Sequence, residues 1–253
     1  MPVFRLLALL VVMLPVAAPG AGVAPVVSVG AAKIDITPEL PIRLSGYQSR
    51  PTEANRVEMP LTARALAIGS DTEGPAIVIA VELIAVSEAL SEAVVAAIQA
   101  RHAIPRARIA ICATHVHNGP ALAGTIPFMF SRDLPAEELA RIERYTAALP
   151  GKLVEVALAA LAARQPARLH WGQGTAGFAV NRRKIVDGKH TGYKAEPGGP
   201  VDHALPVLRV TDERGGVRAV LANYACHCTT LKGGENFVHP DWAGTAAEKI
   251  EAA

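Results

Sequence analysis

The sequence predicts an α/β fold in which mixed or antiparallel β-sheets are surrounded by helices. Three observations favour this class. Apolar runs occur in pairs joined by short polar turns, as in hairpins. Other stretches repeat their apolar residues at helical spacing. Strands outnumber the helices that could cross over between parallel strands, which disfavours a doubly wound parallel sheet. With 253 residues, of which 51% are hydrophobic and 19% charged, the chain can bury a sizeable core.

The first 24 residues are typical of a secretory signal peptide. Arg5 precedes an apolar run from Leu6 to Val16, and small residues follow this run. The run is about 11 residues long, whereas a membrane span needs roughly 20. An uncleaved anchor is the alternative. We therefore expect an exported protein, secreted or periplasmic, whose domain covers residues 25–253.

The first half of the mature chain predicts strands, a hairpin and a helix in this order. A short β-branched strand covers Ala32–Ile36. Two apolar runs, Leu61–Ile68 and Ala76–Val86, flank a polar turn and form a hairpin. Ser87 can cap a helix that continues to Arg101. A buried strand, Ala107–Ala113, then leads directly into a pair of histidines.

The second half predicts two helices and a return strand. A helix begins after Pro135 and is expected to break at Pro150-Gly151. A second, Ala-rich helix then covers Lys152–Arg164, followed by a strand at Arg168–Gly172. Residues 181–200 are polar and rich in Gly and Lys, so we predict a long surface loop there.

The last part predicts a hairpin and the beginning of a helix. Its strands are Leu205–Thr211 and Val217–Cys228, joined by a turn at 212–216. A helix starts near Asp241 and reaches the last residue without a C-cap. We therefore expect this chain to be an N-terminal fragment of a longer protein.

The charge and cysteine content restrict the partners and the redox chemistry. The net charge is +2 and no stretch is a basic run, so we exclude a nucleic-acid partner. The three cysteines, Cys112, Cys226 and Cys228, cannot all pair within one chain. A link from Cys112 to one of the other two, or three buried thiols, are the two alternatives.

His115 and His117 stand at the end of the predicted strand that precedes a Gly-Pro turn. Residues two apart on a strand point to the same face, so both imidazoles can converge on one ion. A pair of hydrogen-bonded histidines is the alternative. Gly119 and Pro120 occupy the positions where a His-x-His-x-Asp-His metallohydrolase would have its next ligands.

His227 closes a second apolar strand, and a buried histidine is costly unless something binds it. Alternation places His227 opposite Cys226 and Cys228, which are expected to pack into the core. An ordinary core histidine is the alternative. A cysteine nucleophile paired with His227 is disfavoured because neighbouring residues point apart.

Two further charged residues are candidates for supporting roles. Arg182 could hold a substrate oxygen with its fork of donors. Glu82 lies in an apolar strand and needs a partner. That partner is either a ligand histidine, through an outer-shell hydrogen bond, or a cation in a buried ion pair.

Taken together, these motifs resemble the N-terminal catalytic domain of the neutral/alkaline non-lysosomal ceramidases. The resemblance rests on their order along nearly all of the mature chain: Gly30–Pro38, Leu44–Tyr47, Pro60–Ala65, Thr114–Pro120, Asn181-Arg182, Tyr224–His227 and Asp241–Gly244. It implies a zinc-dependent amide hydrolase that cleaves ceramide, an N-acylated sphingoid base, and contacts the membrane surface through this substrate.

The resemblance also implies roles for individual residues. His115 and His227 match the family's zinc-binding histidines. His117 would sit beside the attacking water and the scissile amide, and Arg182 would contact the substrate oxygen. The family's Glu and Tyr ligands are expected beyond residue 253. Asn118 stands where the family has serine, so another amide or ester is an alternative substrate.

Two histidines are too few ligands for a catalytic zinc, which normally has three from the protein. We therefore expect this chain to bind zinc weakly or not at all and to be inactive. Tight binding would indicate further ligands, with His239 and Glu235 as candidates. A metal-free, exported binding module with the same fold is the alternative from another functional class.

Overall fold

The computed structural model describes residues 25–126, 129–130 and 132–253. The predicted signal segment 1–24 lies outside these residues and stays a prediction. The helices are α1 (Glu88–Gln99), α2 (Ala136–Ala162) and α3 (Asp241–Glu251). The strands are β1 (Val26–Asp35), β2 (Thr62–Ile68), β3 (Ala76–Val81), β4 (Ile109–Ala113), β5 (Gln165–Thr175), β6 (Asn181–Val186), β7 (Lys189–Glu196), β8 (Ala204–Thr211) and β9 (Val217–Ala222).

A mixed seven-stranded sheet organises the fold, with the strand order β4-β3-β2-β1-β5-β8-β9. Only β3 and β4 pair in parallel within this sheet, and α1 forms the crossover between them. The other neighbouring strands of this sheet are antiparallel. The predicted class, a mixed sheet accompanied by helices, is confirmed. The strands β4 and β9 form the two edges.

The main core lies between the sheet and the helices α1 and α2. Leu149 and Leu153 of α2 are fully buried there. By length and composition alone α2 could cross a membrane, but its buried side packs on β1, β2 and α1. We therefore describe it as a core helix. Across the sheet, α3 is held by Glu251, which accepts hydrogen bonds from Lys33 Nζ and Arg64 Nε at 2.6 Å each.

Gly30 is the point of closest approach between β1 and α2. A Cβ atom at this position would lie 2.1 Å from the carbonyl oxygen of Ala160. We expect Gly30→Ala to lower the free energy of unfolding by about 1–3 kcal/mol, because the helix must shift. Urea unfolding measures this. Gly172→Ala is the control, since Gly172 is also on a strand and a Cβ there meets nothing within 4 Å. An equal loss in both variants would contradict the packing argument.

The predicted break at Pro150-Gly151 is wrong, because α2 continues through Pro150. A proline inside a helix removes one hydrogen bond and costs about 3 kcal/mol. The neighbouring turns each bury apolar residues, including Leu149, Leu153 and Val156, against the core. Burying these side chains on both sides of Pro150 outweighs the local cost.

The predicted surface loop at 181–200 is also wrong, because β6 and β7 form a hairpin there. Its turn is Asp187-Gly188, and both residues have positive φ, 49° and 74°. Two central residues of positive φ are the requirement of the tight hairpin turn that Asp-Gly favours. This dipeptide was the signal that could have predicted the hairpin.

The remaining elements agree with the sequence to within a few residues, with three differences, of which the first is that β3 ends at Val81 and not at the predicted Val86. Ser87 caps α1, its hydroxyl accepting a hydrogen bond from the Leu90 amide at 3.3 Å. The first strand begins at Val26, six positions before the predicted start. The last strand ends at Ala222, so the predicted continuation to Cys228 is wrong. The chain leaves the sheet there and turns towards the histidines.

Candidate metal centre

The site is built by two segments that leave opposite edges of the sheet. Beyond β4, the Val116 amide donates to the Leu83 carbonyl at 3.2 Å, so the chain stays close to the sheet. Beyond β9, Cys228 forms an isolated parallel bridge with Val116. The Cys228 thiol donates to the Thr114 carbonyl at 3.0 Å. These contacts hold the two segments side by side.

Three imidazoles meet where these segments join. The ring of His227 lies 4.5 Å from that of His115 and 4.7 Å from that of His117, measured between centroids. One ligand nitrogen from each histidine lies within 4.8 Å of the others. The predicted convergence of His115 and His117 is therefore observed, although β4 has ended and His115 adopts a φ of 61°.

The nitrogen atoms of the cluster fit a zinc ion. His115 Nδ1 lies 2.7 Å from the Ile84 carbonyl, which leaves Nε2 free to face the cluster. His227 Nε2 lies 2.7 Å from His117 Nε2. The expectation of weak zinc binding counted two ligands. The structure places the His117 imidazole beside them, and the three rings together could hold a metal ion.

His117 is enclosed on its outer side by Gly46 and Tyr47. The Tyr47 ring packs edge-on against the imidazole at 4.9 Å between centroids. A Cβ at Gly46 would lie 2.5 Å from His117 Cγ, so only glycine fits. In the part of the chain that the structure describes, the buried Nδ1 of His117 has no hydrogen-bond partner.

Two of the three imidazoles are held neutral by their surroundings. Burial, followed by the neighbouring histidines and arginines, lowers the pKa of His117 to about 4. Burial is also the largest cause that lowers the pKa of His227 to about 4, and the nearby His115 and Arg182 add to it. Neutral imidazole is the form that binds metal, so these rings need no deprotonation at pH 7.

The fit between Gly46 and His117 gives a testable prediction. We expect Gly46→Ala to displace the His117 ring and to weaken zinc binding about tenfold, the scale expected when a group that surrounds the ligands is disturbed. Zinc titration calorimetry measures the change. Gly124→Ala is the control, because Gly124 also has positive φ, 70°, but a Cβ there meets nothing within 4 Å. Equal weakening by both variants would show that backbone strain, and not the His117 ring, is responsible.

A buried guanidinium supports the backbone around His117. Arg50 is 2% exposed and donates to the carbonyl oxygens of His117 at 2.8 Å and Ser45 at 2.5 Å. It also donates to Asn118 Oδ1 at 2.8 Å. Asn118 Nδ2 in turn donates to the Glu235 carbonyl at 2.8 Å. Sequence reasoning missed Arg50, since nothing in its local pattern marks it as buried.

Asp241 plays the corresponding role for the segment that carries His227. Asp241 is 1% exposed and has a φ of 55°. Its carboxylate accepts hydrogen bonds from the Thr230 hydroxyl at 2.5 Å and the Leu231 amide at 3.1 Å. The next residue, Trp242, donates from Nε1 to the His227 carbonyl at 3.3 Å. The sequence identified Asp241 only as a helix start.

The other candidate residues have distinct placements. Arg182 is the second residue of β6, and its positive charge contributes to the lowered pKa of both His117 and His227. Glu82 forms a buried ion pair with Arg64 at 2.6 Å, so of its two alternatives the ion pair is the one observed. His239 Nδ1 accepts from the Asp241 amide and Glu235 Oε2 from the Lys232 amide. Among the described residues, neither belongs to the metal-binding cluster.

The predicted cysteine arrangements are both wrong. All three cysteines are free, and they differ in exposure: Cys112 is exposed, Cys226 half-buried and Cys228 buried. Cys112 lies on β4, an edge strand, which explains its exposure. Burial raises the pKa of Cys228 to about 12, so its thiolate is rare at neutral pH.

These exposures predict the order of thiol modification. At pH 7 an alkylating reagent is expected to modify Cys112 first and to leave Cys228 unmodified in the folded chain. Peptide mass spectrometry reads out each site, and a urea-unfolded sample is the control in which all three react. Fast alkylation of Cys228 in the folded chain would contradict this prediction and would favour a cysteine-dependent mechanism.

The fold and the cluster define an α/β protein with a three-histidine candidate metal centre at the joined edges of a mixed sheet. Residues 27–253 match the family model of the neutral/alkaline non-lysosomal ceramidases, N-terminal, and the chain belongs to this family. No curated protein sequence matches the chain.

Solved structures show the same fold. The crystal structure of neutral ceramidase from Pseudomonas aeruginosa superposes with a TM-score of 0.69 at 22% identity, covering 89% of this chain and 36% of that one. A structure described as ceramidase complexed with C2 gives 0.70 at 22% identity, covering 89% and 35%. The chain therefore spans about a third of the length of these relatives.

Proposed function

We propose that the chain carries the metal site of a zinc-dependent amide hydrolase of the ceramidase type, which cleaves an N-acylated sphingoid base into a fatty acid and a sphingoid base. The observation that carries the proposal is the meeting of three imidazoles within 4.8 Å in a chain of this family. His115 and His227 are exposed and His117 is half-buried, so solvent and a metal ion can reach the cluster.

Each residue of the cluster has a separate task in this proposal. When bound, zinc would polarise the amide carbonyl and lower the pKa of water towards neutrality. His115 and His227 would hold the ion, and the hydrogen bond from His115 Nδ1 to the Ile84 carbonyl fixes that ring. His117, neutral at pH 7, accepts and returns a proton at Nε2. Arg182 donates to the substrate oxygen, and one such donor is worth about 2.7–4 kcal/mol at the transition state.

Metal binding is the first test of the proposal. Zinc titrated into the chelator-treated chain is expected to bind as one ion per chain by calorimetry. His102→Ala is the control, because His102 lies outside the cluster. A chain that binds no zinc would favour the metal-free binding module.

Hydrolysis is the second test. Fatty acid release from ceramides is compared by mass spectrometry with release from simpler N-acyl amines and esters, with zinc and with a chelator. The expected inactivity rested on a count of two ligands, and the cluster of three histidines replaces that count. We therefore expect zinc-dependent release that is fastest from ceramides. Faster cleavage of the simpler compounds would assign the site to another amide or ester.

A further inference from the structure

The hairpin of β6 and β7, residues 181–196, stands apart from the seven-stranded sheet. We call it the basic hairpin. Three apolar side chains lie exposed on it: Ile185 (56%), Val186 (43%) and Tyr193 (72%). Ile185 and Val186 lie next to the turn of the hairpin. An isolated two-stranded hairpin is marginally stable in water, and exposed apolar side chains at its tip are available to a partner. These side chains therefore need a partner surface.

The charge of the basic hairpin indicates the kind of partner. It carries five basic residues against two acidic ones, Asp187 and Glu196, an excess of three where the whole chain has a net charge of +2. The basic residues are Arg182, Arg183, Lys184, Lys189 and Lys194. Apolar residues flanked by lysine and arginine are complementary to an anionic lipid surface, which offers both hydrocarbon and negative headgroups.

The basic hairpin lies beside the histidine cluster. Ala179, two residues before the hairpin, donates its amide hydrogen to the Tyr224 hydroxyl at 3.1 Å, and Tyr224 is three residues before His227. Phe178, three residues before the hairpin, is 57% exposed, and its ring lies 5.4 Å from that of Trp242. Trp242 in turn donates to the His227 carbonyl. The contact between Phe178 and Trp242 therefore links the chain before the hairpin to the segment that carries His227.

We propose that the basic hairpin docks onto an anionic lipid surface, with Ile185, Val186 and Tyr193 entering the interface and the lysines facing the headgroups. The inference rests on the proposed function, because a lipid amide must pass from a membrane to the histidines. Docking itself needs neither a bound metal nor hydrolysis, so the two can be tested separately.

The test measures partition of the 253-residue chain onto vesicles of phosphatidylcholine with phosphatidylglycerol and onto vesicles of phosphatidylcholine alone. The readout is the ratio of the two partition coefficients, without substrate or zinc. One variant combines K184Q, K189Q and K194Q. Each basic residue near an anionic surface contributes about fivefold, so this variant is expected to lower the ratio about 100-fold. Its control combines R101Q, R144Q and K249Q, which remove the same charge from exposed positions elsewhere.

A second variant tests the apolar contribution. I185T with V186T keeps β-branched side chains and is expected to weaken binding to anionic vesicles about tenfold. Every variant keeps residues 1–24, so any contribution of that apolar segment is shared. Equal ratios for the lysine variant and its control would overturn the proposal. So would hairpin-dependent self-association without vesicle binding, which would identify a second copy as the partner. Failure to hydrolyse ceramide would overturn the proposed function and leave this result unchanged.

Discussion

His115→Ala and His227→Ala are each expected to abolish zinc binding and hydrolysis together. Loss of an outer-shell partner costs roughly 10–100-fold in metal affinity, and loss of a ligand should exceed this. His117→Ala is expected to abolish hydrolysis while retaining more of the zinc affinity, because the proposal assigns it proton transfer. Calorimetry and fatty acid release measure the two properties on the same samples.

The comparison between the three variants decides the role of His117. His102→Ala again controls for the loss of a histidine outside the cluster. If His117→Ala loses zinc as completely as His115→Ala does, His117 is a ligand and another group must move the proton. If His115→Ala retains full affinity, the pairing of His115 with His227 around one ion is wrong.

Arg50→Met is expected to lower the free energy of unfolding by about 3 kcal/mol or more. Methionine fills part of the volume but leaves the carbonyls of Ser45 and His117 and the Asn118 side chain without their donor. Each buried acceptor left unpaired costs about 1–3 kcal/mol. Burial lowers the pKa of Arg50 to about 10, so the residue is still a cation at neutral pH. Urea unfolding measures the loss.

The control for this variant is Arg106→Met. Arg106 pairs with Glu92 on the surface, where an ion pair contributes about 0–1 kcal/mol. A loss in Arg50→Met no greater than in this control would contradict the role assigned to the buried guanidinium. Zinc affinity is then measured on the folded fraction of Arg50→Met. A lower affinity would show that the site depends on the backbone support that Arg50 gives to His117.

Much of the fold could be predicted because it depends on local patterns. The hairpin of β2 and β3, the capped helix α1 and the strand before His115 all follow from apolar periodicity and turn residues. The loop predicted at 181–200 is an error because the turn signal of Asp187-Gly188 was overlooked. The predicted helix break is an error because burial overrides a local rule. Pro150 breaks no helix because apolar residues on both sides of it reach the core.

The candidate site was predictable in its histidines but not in its supports. His115, His117 and His227 stand at the ends of apolar runs, where a polar side chain is conspicuous. Arg50 and Asp241 act through contacts with residues distant in the chain, and no local pattern reports such contacts.

The bridge between Val116 and Cys228 has a consequence for folding. It joins the extensions of the first and the last strand of the sheet order, so the imidazoles meet at a contact between the two edges of the native sheet. An ion bound there would stabilise the contact between the two edges of the sheet. Because it would bind the native chain and not the unfolded one, a concentration 100 times its Kd would add about 2.7 kcal/mol to global stability.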